Sequence, residues 1–290
     1  MWTTNAITFA TSTSIGTTPN GMFIDIYNNI YVADRSNSAM RMWLAGSTLL
    51  TKNITLGLNA PYSLFVTIDG DIYIDNGGTN YRVDRWSSNG TLNRTAMILQ
   101  TTSASSCYGL FIDIMNNLYC SMNSQNMVAM KSLNSNLSLW TVAAGVGCTV
   151  ATSNTLSQPR GIFVDTDLNL YVADCGNNRI QLFPSNQTIG ITVAGTSTIG
   201  TIILSCPSGV VLDGNNYMFI VDTSNHRIIG SGSNGFRCII GCDGSAGSAS
   251  NQLYSPTAMS FDSYGNIYVV DSINSRIQKF SLISDITSRK

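Results

Sequence analysis

Three Asp–Arg pairs with the same spacing have the residue types of a site for a charged ligand. Each pair is separated by five residues: Asp174 and Arg179, Asp222 and Arg227, Asp271 and Arg276. A carboxylate and a guanidinium at that spacing can also pair with each other, and Asp side chains accept hydrogen bonds from turn amides. Because the arrangement recurs at equivalent positions, we predict a structural role for these pairs rather than a ligand site.

Few residues are available for catalysis or metal binding. A zinc site normally uses several histidines, and the chain has only His226, in the turn sequence SNHRI. Calcium coordination by oxygen atoms alone stays open, because Asp and Asn are abundant. A Ser/His/Asp triad would have to use His226, and there is neither a Gly-x-Ser-x-Gly motif nor a P-loop. We predict a protein that is not an enzyme and uses no metal or cofactor.

The composition argues against a nucleic-acid surface and against a membrane span. The net charge is −1, and the 15 Lys and Arg residues are scattered, whereas phosphate binding needs clustered cations. No run of about 18 apolar residues occurs in the chain. Charged residues make up 11% of the sequence, less than half of the usual share. Charge therefore contributes little to solubility, and we expect a surface that is glycosylated or that assembles.

Internal repeats organise nearly the whole chain, which is typical of a repeat architecture. The six copies are 42 to 52 residues apart. They begin with PNGMFIDIYNNIYVAD at 19, PYSLFVTIDGDIYIDN at 61, CYGLFIDIMNNLYCSM at 107, PRGIFVDTDLNLYVAD at 159, PSGVVLDGNNYMFIVD at 207 and PTAMSFDSYGNIYVVD at 256.

Each copy predicts four antiparallel strands. A first strand ends in Asp or Thr, an Asn- or Gly-rich turn follows, and a second strand carries an aromatic residue. The third strand is clearest in NRIQLF, and a fourth apolar run such as ITVAG closes the unit. One such sheet cannot bury both faces alone, but six sheets around an axis can. We predict an all-β, six-bladed β-propeller that forms one domain over residues 1–290.

The two ends of the chain predict how the ring closes. The last unit has three strands and then only SLISDITSRK, so residues 282–290 form a C-terminal tail. The N-terminus offers an extra apolar run, AITFA at 6–10, which resembles ITVAG. We therefore expect residues 6–10 to supply the fourth strand of the last blade, which leaves no inner edge unpaired.

The repeat resembles the NHL repeat over roughly residues 6–281. The pattern is Pro-x-Gly, three apolar residues and Asp, then Asn-Leu/Ile-Tyr-Val-Ala-Asp, then Asn-Arg-Ile, and the fourth unit matches it best. The second unit departs from it at Thr67, and the third lacks the second Asp and the Arg. The resemblance implies recognition through a loop face; some propellers of related build are lyases or lactonases with a metal in the channel.

The propeller topology predicts a candidate ligand site at one mouth of the central channel. The residue after each Pro or its equivalent should ring this mouth: Asn20, Tyr62, Tyr108, Arg160, Ser208 and Thr257. Tyr62, Tyr108 and Arg160 are adjacent in that ring and can hold a sugar or a peptide carboxylate by stacking and hydrogen bonding. Ordinary loop packing is the alternative interpretation.

Seven cysteines and five N-glycosylation sequons favour an extracellular protein. The cysteines predicted to form disulfides, with the pairing left open, are Cys107, Cys148, Cys175, Cys206, Cys238 and Cys242; Cys120 is placed in a strand. Free buried thiols are the alternative. The sequons are at Asn53, Asn89, Asn93, Asn136 and Asn186, all between the third and fourth strands or at the start of the fourth. Loops there can carry glycans.

Together these patterns predict a secreted, non-enzymatic interaction or scaffold protein. It would bind a protein or glycan partner through the loop face, or associate with itself into a homo-oligomer or filament. The N-terminal residues lack the features of a signal peptide, so a secretion signal would be removed or lie outside this chain. A metal-dependent channel enzyme of the lyase or lactonase kind is the alternative function.

Overall fold

The chain folds into six four-stranded antiparallel sheets arranged as a propeller. The computed structural model describes residues 1–55, 57–78, 81–88, 95–98 (backbone only), 106–135, 139–145, 152–195 and 202–283. Cys148 and the sequon residues Asn89, Asn93 and Asn136 lie outside these ranges. None of the helices in the described ranges is long and apolar enough to cross a bilayer. The predicted fold class is confirmed.

The strands follow the repeated sequence pattern closely. In chain order they are β1 (Ile7–Thr11); β2 (Pro19–Ile24), β3 (Ile30–Asp34), β4 (Ala39–Trp43) and β5 (Lys52–Ile54); β6 (Leu64–Val66), β7 (Ile72–Asn76), β8 (Arg82–Trp86) and β9 (Thr95–Ile98); β10 (Cys107–Ile112), β11 (Asn117–Met122), β12 (Met127–Ser132) and β13 (Thr141–Ala144); β14 (Pro159–Val164), β15 (Leu170–Asp174), β16 (Arg179–Phe183) and β17 (Ile191–Gly195); β18 (Pro207–Leu212), β19 (Met218–Asp222), β20 (Arg227–Gly232) and β21 (Gly235–Ile240); and β22 (Pro256–Phe261), β23 (Ile267–Asp271) and β24 (Arg276–Phe280). Helix α1 (Ser12–Ile15) and 3₁₀ turns at Asn123–Gln125, Cys175–Asn177 and Thr223–Asn225 connect them.

The N-terminal strand closes the ring, as predicted. Strand β1 pairs antiparallel with β24, so the sixth sheet has the order β1-β24-β23-β22. Phe9 of β1 packs edge-on against Trp43 of blade 1 and Tyr268 of blade 6, with ring centroids 5.6 and 5.7 Å apart. The indole of Trp2 donates to the carbonyl of Gly265 at 2.7 Å. The two ends of the chain therefore share one sheet and one core.

Asp residues at two positions hold the turns within a blade. Asp25, at the end of β2, accepts hydrogen bonds from the N–H groups of Tyr27 and Asn29 at 3.0 and 2.8 Å. Asp174, at the end of β15, is completely buried and accepts from Arg179 Nε at 2.7 Å. Equivalent ion pairs join Asp222 to Arg227 and Asp271 to Arg276. The structural role predicted for the Asp–Arg pairs is confirmed.

In blade 2, different residues stabilise the turn between the second and third strands. Asn76 takes the place of the second Asp and donates to Asp84 on the neighbouring strand at 2.6 Å, while Arg82 pairs with Asp84 at 2.8 Å. The carboxylate of this blade stands one residue earlier in the sequence, at Asp75, and accepts a hydrogen bond from the backbone N–H of Tyr62 at 3.1 Å. The first strand of this blade begins at Leu64, later than the predicted start near residue 61.

The core lies between facing sheets of neighbouring blades. Between blades 1 and 2, for example, Tyr31, Met40 and Trp86 pack with Leu64 and Ile74, all buried. The inner strands of neighbouring blades approach each other closely at the Gly of the Pro-x-Gly motif. A Cβ atom built on Gly161 would lie 2.5 Å from the carbonyl oxygen of Ser208 on the next blade. The motif therefore sets the spacing of strands around the channel.

Candidate functional site

Four of the six residues of the predicted ring line the cavity along the propeller axis: Asn20, Tyr108, Ser208 and Thr257. We call the side of the ring on which the first strands begin the mouth face. Here the ring of Tyr62 stacks on the ring of Tyr108, with centroids 4.0 Å apart and planes inclined by 22°. The two residues come from adjacent blades. Offset-stacked aromatic rings are favoured over isolated ones, so the pair forms a fixed surface across the seam between blades 2 and 3.

Two arginines flank this tyrosine stack. The guanidinium carbon of Arg35 lies 4.3 Å from the ring centroid of Tyr62, in cation–π contact. Arg160, from blade 4, stands close enough to Tyr108 and Tyr62 for the phenols to influence its pKa. Burial lowers the pKa of Arg160, and the two phenols oppose that shift. In the described part of the chain neither arginine forms an ion pair.

The electrostatics of the stack favour hydrogen-bond donation. Burial, together with the neighbouring hydroxyl of Tyr62, raises the pKa of Tyr108 to about 12, so its phenol stays protonated at neutral pH. The Nε atom of Arg160 is buried and has no hydrogen-bond partner among the described residues. A buried donor without a partner is costly. The site therefore offers positive charge and aromatic surface to an acceptor-rich ligand, and one buried donor, Arg160 Nε, has no partner among the described residues.

Asp75 positions the strands that carry the two tyrosines. Its carboxylate is fully buried and accepts from the backbone N–H of Tyr62 at 3.1 Å and of Cys107 at 2.9 Å. Burial raises the pKa of Asp75 to about 7, although these N–H groups favour its charged form. One carboxylate thus links blades 2 and 3 directly beneath the stack.

Hydroxyl groups tie further inner strands together around the mouth. Ser63 Oγ donates to the carbonyl of Cys107 at 2.8 Å, and Ser121 Oγ donates to the carbonyl of Arg160. On the other side of the ring, Ser208 and Thr257 donate to the next blade in the same way. The mouth is therefore rigidly held rather than built on long loops.

Behind the mouth, an apolar channel runs along the axis. Its cavity has a volume of about 300 Å³. The rings of Phe23, Phe65, Phe111 and Phe163 follow one another around four blades, with centroids 4.8 to 5.1 Å apart. Ligand pockets in proteins commonly begin at this size.

The structure places His226 in loop packing. Its Nδ1 accepts from the backbone N–H of Ser255 at 3.1 Å, and its ring meets Tyr254 edge-on at 5.3 Å. It adopts a left-handed conformation, with φ of 54°, at the end of a 3₁₀ turn. Across the described ranges no group of three or more His, Cys, Asp and Glu side chains is arranged to hold a metal ion.

Six of the seven cysteines form three disulfides. Cys175 joins Cys206 across blades 4 and 5, on the mouth face, and Cys238 joins Cys242. Cys107 pairs with Cys120. Cys120 is not among the cysteines that the sequence predicts to form disulfides. In the pairing of β10 with β11, Cys120 lies opposite Leu110 and Cys107 lies opposite Met122; the register shifts between Cys107 and Leu110, and the Cα atoms of the two cysteines are 5.1 Å apart. The sixth candidate, Cys148, lies outside the described residues.

Of the five predicted glycosylation sites, the structure describes two. Asn186 is exposed in the turn between β16 and β17, with φ of 59°. Asn53 is exposed on β5, the outer strand of blade 1. Both side chains face solvent on the outer rim.

Sequence reasoning missed Arg35 and Asp75. Arg35 follows the second-strand Asp34, where blades 4, 5 and 6 have Cys175, Thr223 and Ser272. Side chains at this position reach the next blade: Ser272 Oγ in blade 6 donates to the carbonyl of Pro19 in blade 1 at 2.8 Å. A long cationic side chain at this position in blade 1 was therefore a detectable signal of a contact between blades. For Asp75 the corresponding signal was the sequence IYIDN, in which Asp stands one residue before its usual place at the end of the second strand.

Comparisons with known proteins agree with this architecture. Residues 156–183 match the family model of the NHL repeat. No curated protein matches the sequence. Among solved structures, the chain is similar to a protein of unknown function from Bacteroides thetaiotaomicron VPI-5482 (14% identity, 96% of this chain and 75% of that chain covered, TM-score 0.77).

Two further structures have stated functions. An auxiliary nutrient binding protein from Bacteroides ovatus ATCC 8483 is 15% identical, with 98% of this chain and 73% of that chain covered and a TM-score of 0.72. Virginiamycin B lyase from Staphylococcus aureus is 13% identical, with 96% and 98% covered and a TM-score of 0.66. At these identities the likeness shows the fold alone.

Proposed function

We propose that this six-bladed propeller, which matches the NHL repeat model over residues 156–183, is a non-enzymatic, extracellular interaction module that binds an acidic partner at its mouth face. One observation carries this proposal: the stacked Tyr62–Tyr108 pair lies between Arg35 and Arg160, two guanidiniums without a carboxylate partner among the described residues. The fold contributes the platform, and the site contributes the chemistry.

The chemistry of these residues selects a carboxylate next to a flat or apolar surface. Guanidinium groups bind carboxylates through paired N–H donors, and aromatic faces stack on sugar rings or peptide side chains. An acidic protein segment and an acidic glycan share this chemistry. A rigid mouth lowers the entropy lost on binding, because few side chains must be ordered.

Direct binding measurements test the proposal. The probes are a fluorescein-labelled glutamate-rich peptide, a labelled oligogalacturonate, and their amide and neutral counterparts. Wild-type protein is expected to bind an acidic probe and not its uncharged counterpart, and Arg160→Gln and Tyr108→Ala are each expected to weaken binding about tenfold or more. Arg237→Gln, at an exposed arginine outside the site, is the matched control.

The acidic probe that binds identifies the class of partner. Equal affinity of wild type, Arg160→Gln and Tyr108→Ala for both acidic probes, or no binding of either, would overturn the proposal. Self-association into a homo-oligomer or filament is the other form of scaffold function, and analytical ultracentrifugation measures it directly.

The proposal that the protein is not an enzyme rests on which side chains are in a position to transfer protons. The single histidine is engaged in loop packing, and the arginines and tyrosines of the mouth suit binding better than proton transfer, since their ordinary pKa values lie far from 7. Similar structures include both a lyase and a nutrient binding protein, so likeness alone does not choose between activities.

The extracellular assignment rests on the three disulfides and the exposed sequons. Disulfides form and persist in oxidising compartments, and Cys175–Cys206 joins two different blades. We further propose that Asn53 and Asn186, both exposed, carry N-linked glycans. Glycans would supply the solubility that a charged fraction of 11% does not.

A further inference from the structure

The face opposite the mouth carries an exposed apolar arc. In blades 1, 2 and 3 the turn between first and second strands presents Ile26, Ile68 and Ile114, which are 59%, 70% and 69% exposed. We call these three residues the isoleucine arc. The equivalent exposed positions of blades 4, 5 and 6 are Thr166, Gly214 and Ser263. At this turn position, therefore, three adjacent blades carry an exposed isoleucine and the other three do not.

The turn does not need an isoleucine at this position in order to form its hydrogen bonds. In blade 5, Asp213 accepts from the N–H groups of Asn215 and Tyr217 at 2.8 and 2.9 Å, with Gly214 between them. In blade 1, Asp25 makes the same two bonds around Ile26. The turn therefore forms equally well without an apolar side chain. A contiguous exposed apolar surface commonly marks an interaction site.

A groove lies between the isoleucines of the arc. It has a volume of about 640 Å³, and Phe23 and Phe65 from the channel form its inner end. This groove is at the opposite end of the channel from Tyr62 and Tyr108. It can therefore receive a side chain from a second molecule without competing with the mouth-face site.

The charges in the groove define the chemistry of that molecule. Asp25, Asp69, Asp71 and Asp113 line it together with one cation, Arg85. Asp71 is already paired with Arg85 at 2.6 Å. Asp69, next to Ile68, is exposed and has no hydrogen bond or ion pair with another described residue. Acidic groups outnumber basic ones, so a cationic segment is favoured over an acidic one and over a second copy of this face.

We propose that the isoleucine arc docks a segment of a partner protein in which aliphatic side chains alternate with lysine or arginine. The aliphatic side chains contact the isoleucines and enter the groove, and the cation pairs with Asp69. This site is independent of the mouth-face site. A protein with both would connect two partners at opposite ends of its channel.

Fluorescence anisotropy with synthetic peptides tests this inference on the full chain. The probe is a fluorescein-labelled peptide that repeats Gly-Ile-Lys, compared with versions carrying Glu for Lys or Ser for Ile. The lysine peptide is expected to bind best. The triple variant Ile26→Ser, Ile68→Ser, Ile114→Ser is expected to weaken its binding about tenfold or more, because apolar contact area is lost. Asp69→Asn is expected to weaken it about threefold, and less at high salt.

The repeat supplies matched controls. Asp167 occupies the position of Asp69 in blade 4, and Ile191 is an equally exposed isoleucine on β17. Asp167→Asn and Ile191→Ser are expected to leave binding unchanged. Because all substituted side chains are exposed, thermal unfolding should stay the same, which separates lost binding from lost folding.

Three results would overturn the inference. The first is that the lysine peptide does not bind, or binds no better than the glutamate peptide. The second is equal binding by wild type and the triple serine variant. The third is that wild type forms a dimer in sedimentation experiments and the triple variant does not, which would assign the arc to a second copy of the chain. Arg160→Gln should not affect any of these measurements.

Discussion

The buried carboxylate of Asp75 accepts a hydrogen bond from the backbone N–H of Tyr62 at 3.1 Å, in one of the two blades whose repeats depart most from the pattern. The same carboxylate accepts from Cys107 of the next blade at 2.9 Å. In blade 4, the buried Asp174 has Arg179 as its ion-pair partner. Asp75 instead has only backbone donors nearby and, further away, Arg35. In blade 2 Asn76 occupies the turn position and accepts from the N–H of Asn59, and the carboxylate one residue earlier holds the two strands that carry the tyrosine stack.

Asp75 is expected to make folding stability pH-dependent. Burial raises its pKa from 3.8 to about 7 in the folded protein, so between these values the folded state binds more protons than the unfolded state. The contribution of Asp75 to stability is complete below about pH 4 and declines as the pH rises to about 7. Urea denaturation at several pH values should show this slope in wild type and a smaller one in Asp75→Asn. Parallel pH profiles for the two proteins would contradict the prediction.

Closure of the ring is expected to depend on Phe9. Its ring packs against Trp43 and Tyr268 from two blades, so Phe9→Ala should lower the free energy of unfolding by about 2–3 kcal/mol. Ile7 lies on the same strand and is 68% exposed, and Ile7→Ala should change stability by no more than about 0.5 kcal/mol. Chemical denaturation measures both. Similar losses for the two variants would mean that the strand contributes through its backbone alone.

The Asp–Arg pairs are expected to stabilise the fold according to their burial. Arg179→Met leaves Asp174, which is fully buried, without its cation and should cost about 3 kcal/mol or more. Arg85→Met breaks the pair with Asp71, in which Arg85 is 45% exposed, and should cost less than about 1 kcal/mol. The comparison uses urea unfolding at fixed pH. An equal cost for both variants would rule out burial as the cause.

Glycosylation at Asn186 can be measured from intact mass. When the chain is secreted from eukaryotic cells, Asn186→Gln should remove the mass of one glycan, because the side chain is exposed in a turn. Thr188→Val should remove the same mass by destroying the sequon, and Thr188→Ser should retain it. An unmodified wild-type protein, or a glycan that survives Thr188→Val, would disprove the assignment.

Much of the architecture follows from the sequence because it depends on short-range, repeated patterns. Alternating apolar residues and the turn residues between them define each hairpin, and six repeats of that pattern require six similar sheets. The missing fourth strand of the last repeat and the apolar run near the N-terminus predicted ring closure, and β1 pairs with β24. The Asp–Arg turns were predictable for the same reason: both partners lie within one hairpin, so their spacing along the chain determines their distance in space.

The tertiary structure alone decided the contacts between blades. Arg35 lies over Tyr62 although the residues belong to different repeats, and Tyr62 stacks on Tyr108 from a third. Such contacts depend on the distance between adjacent inner strands and on side-chain rotamers, neither of which a local pattern encodes. The sequence likewise left the partner of Cys107 open, because the disulfide with Cys120 forms where the pairing of β10 with β11 is irregular. Sequence determines each blade through local hydrogen bonding, whereas the site and the isoleucine arc arise where separate blades meet.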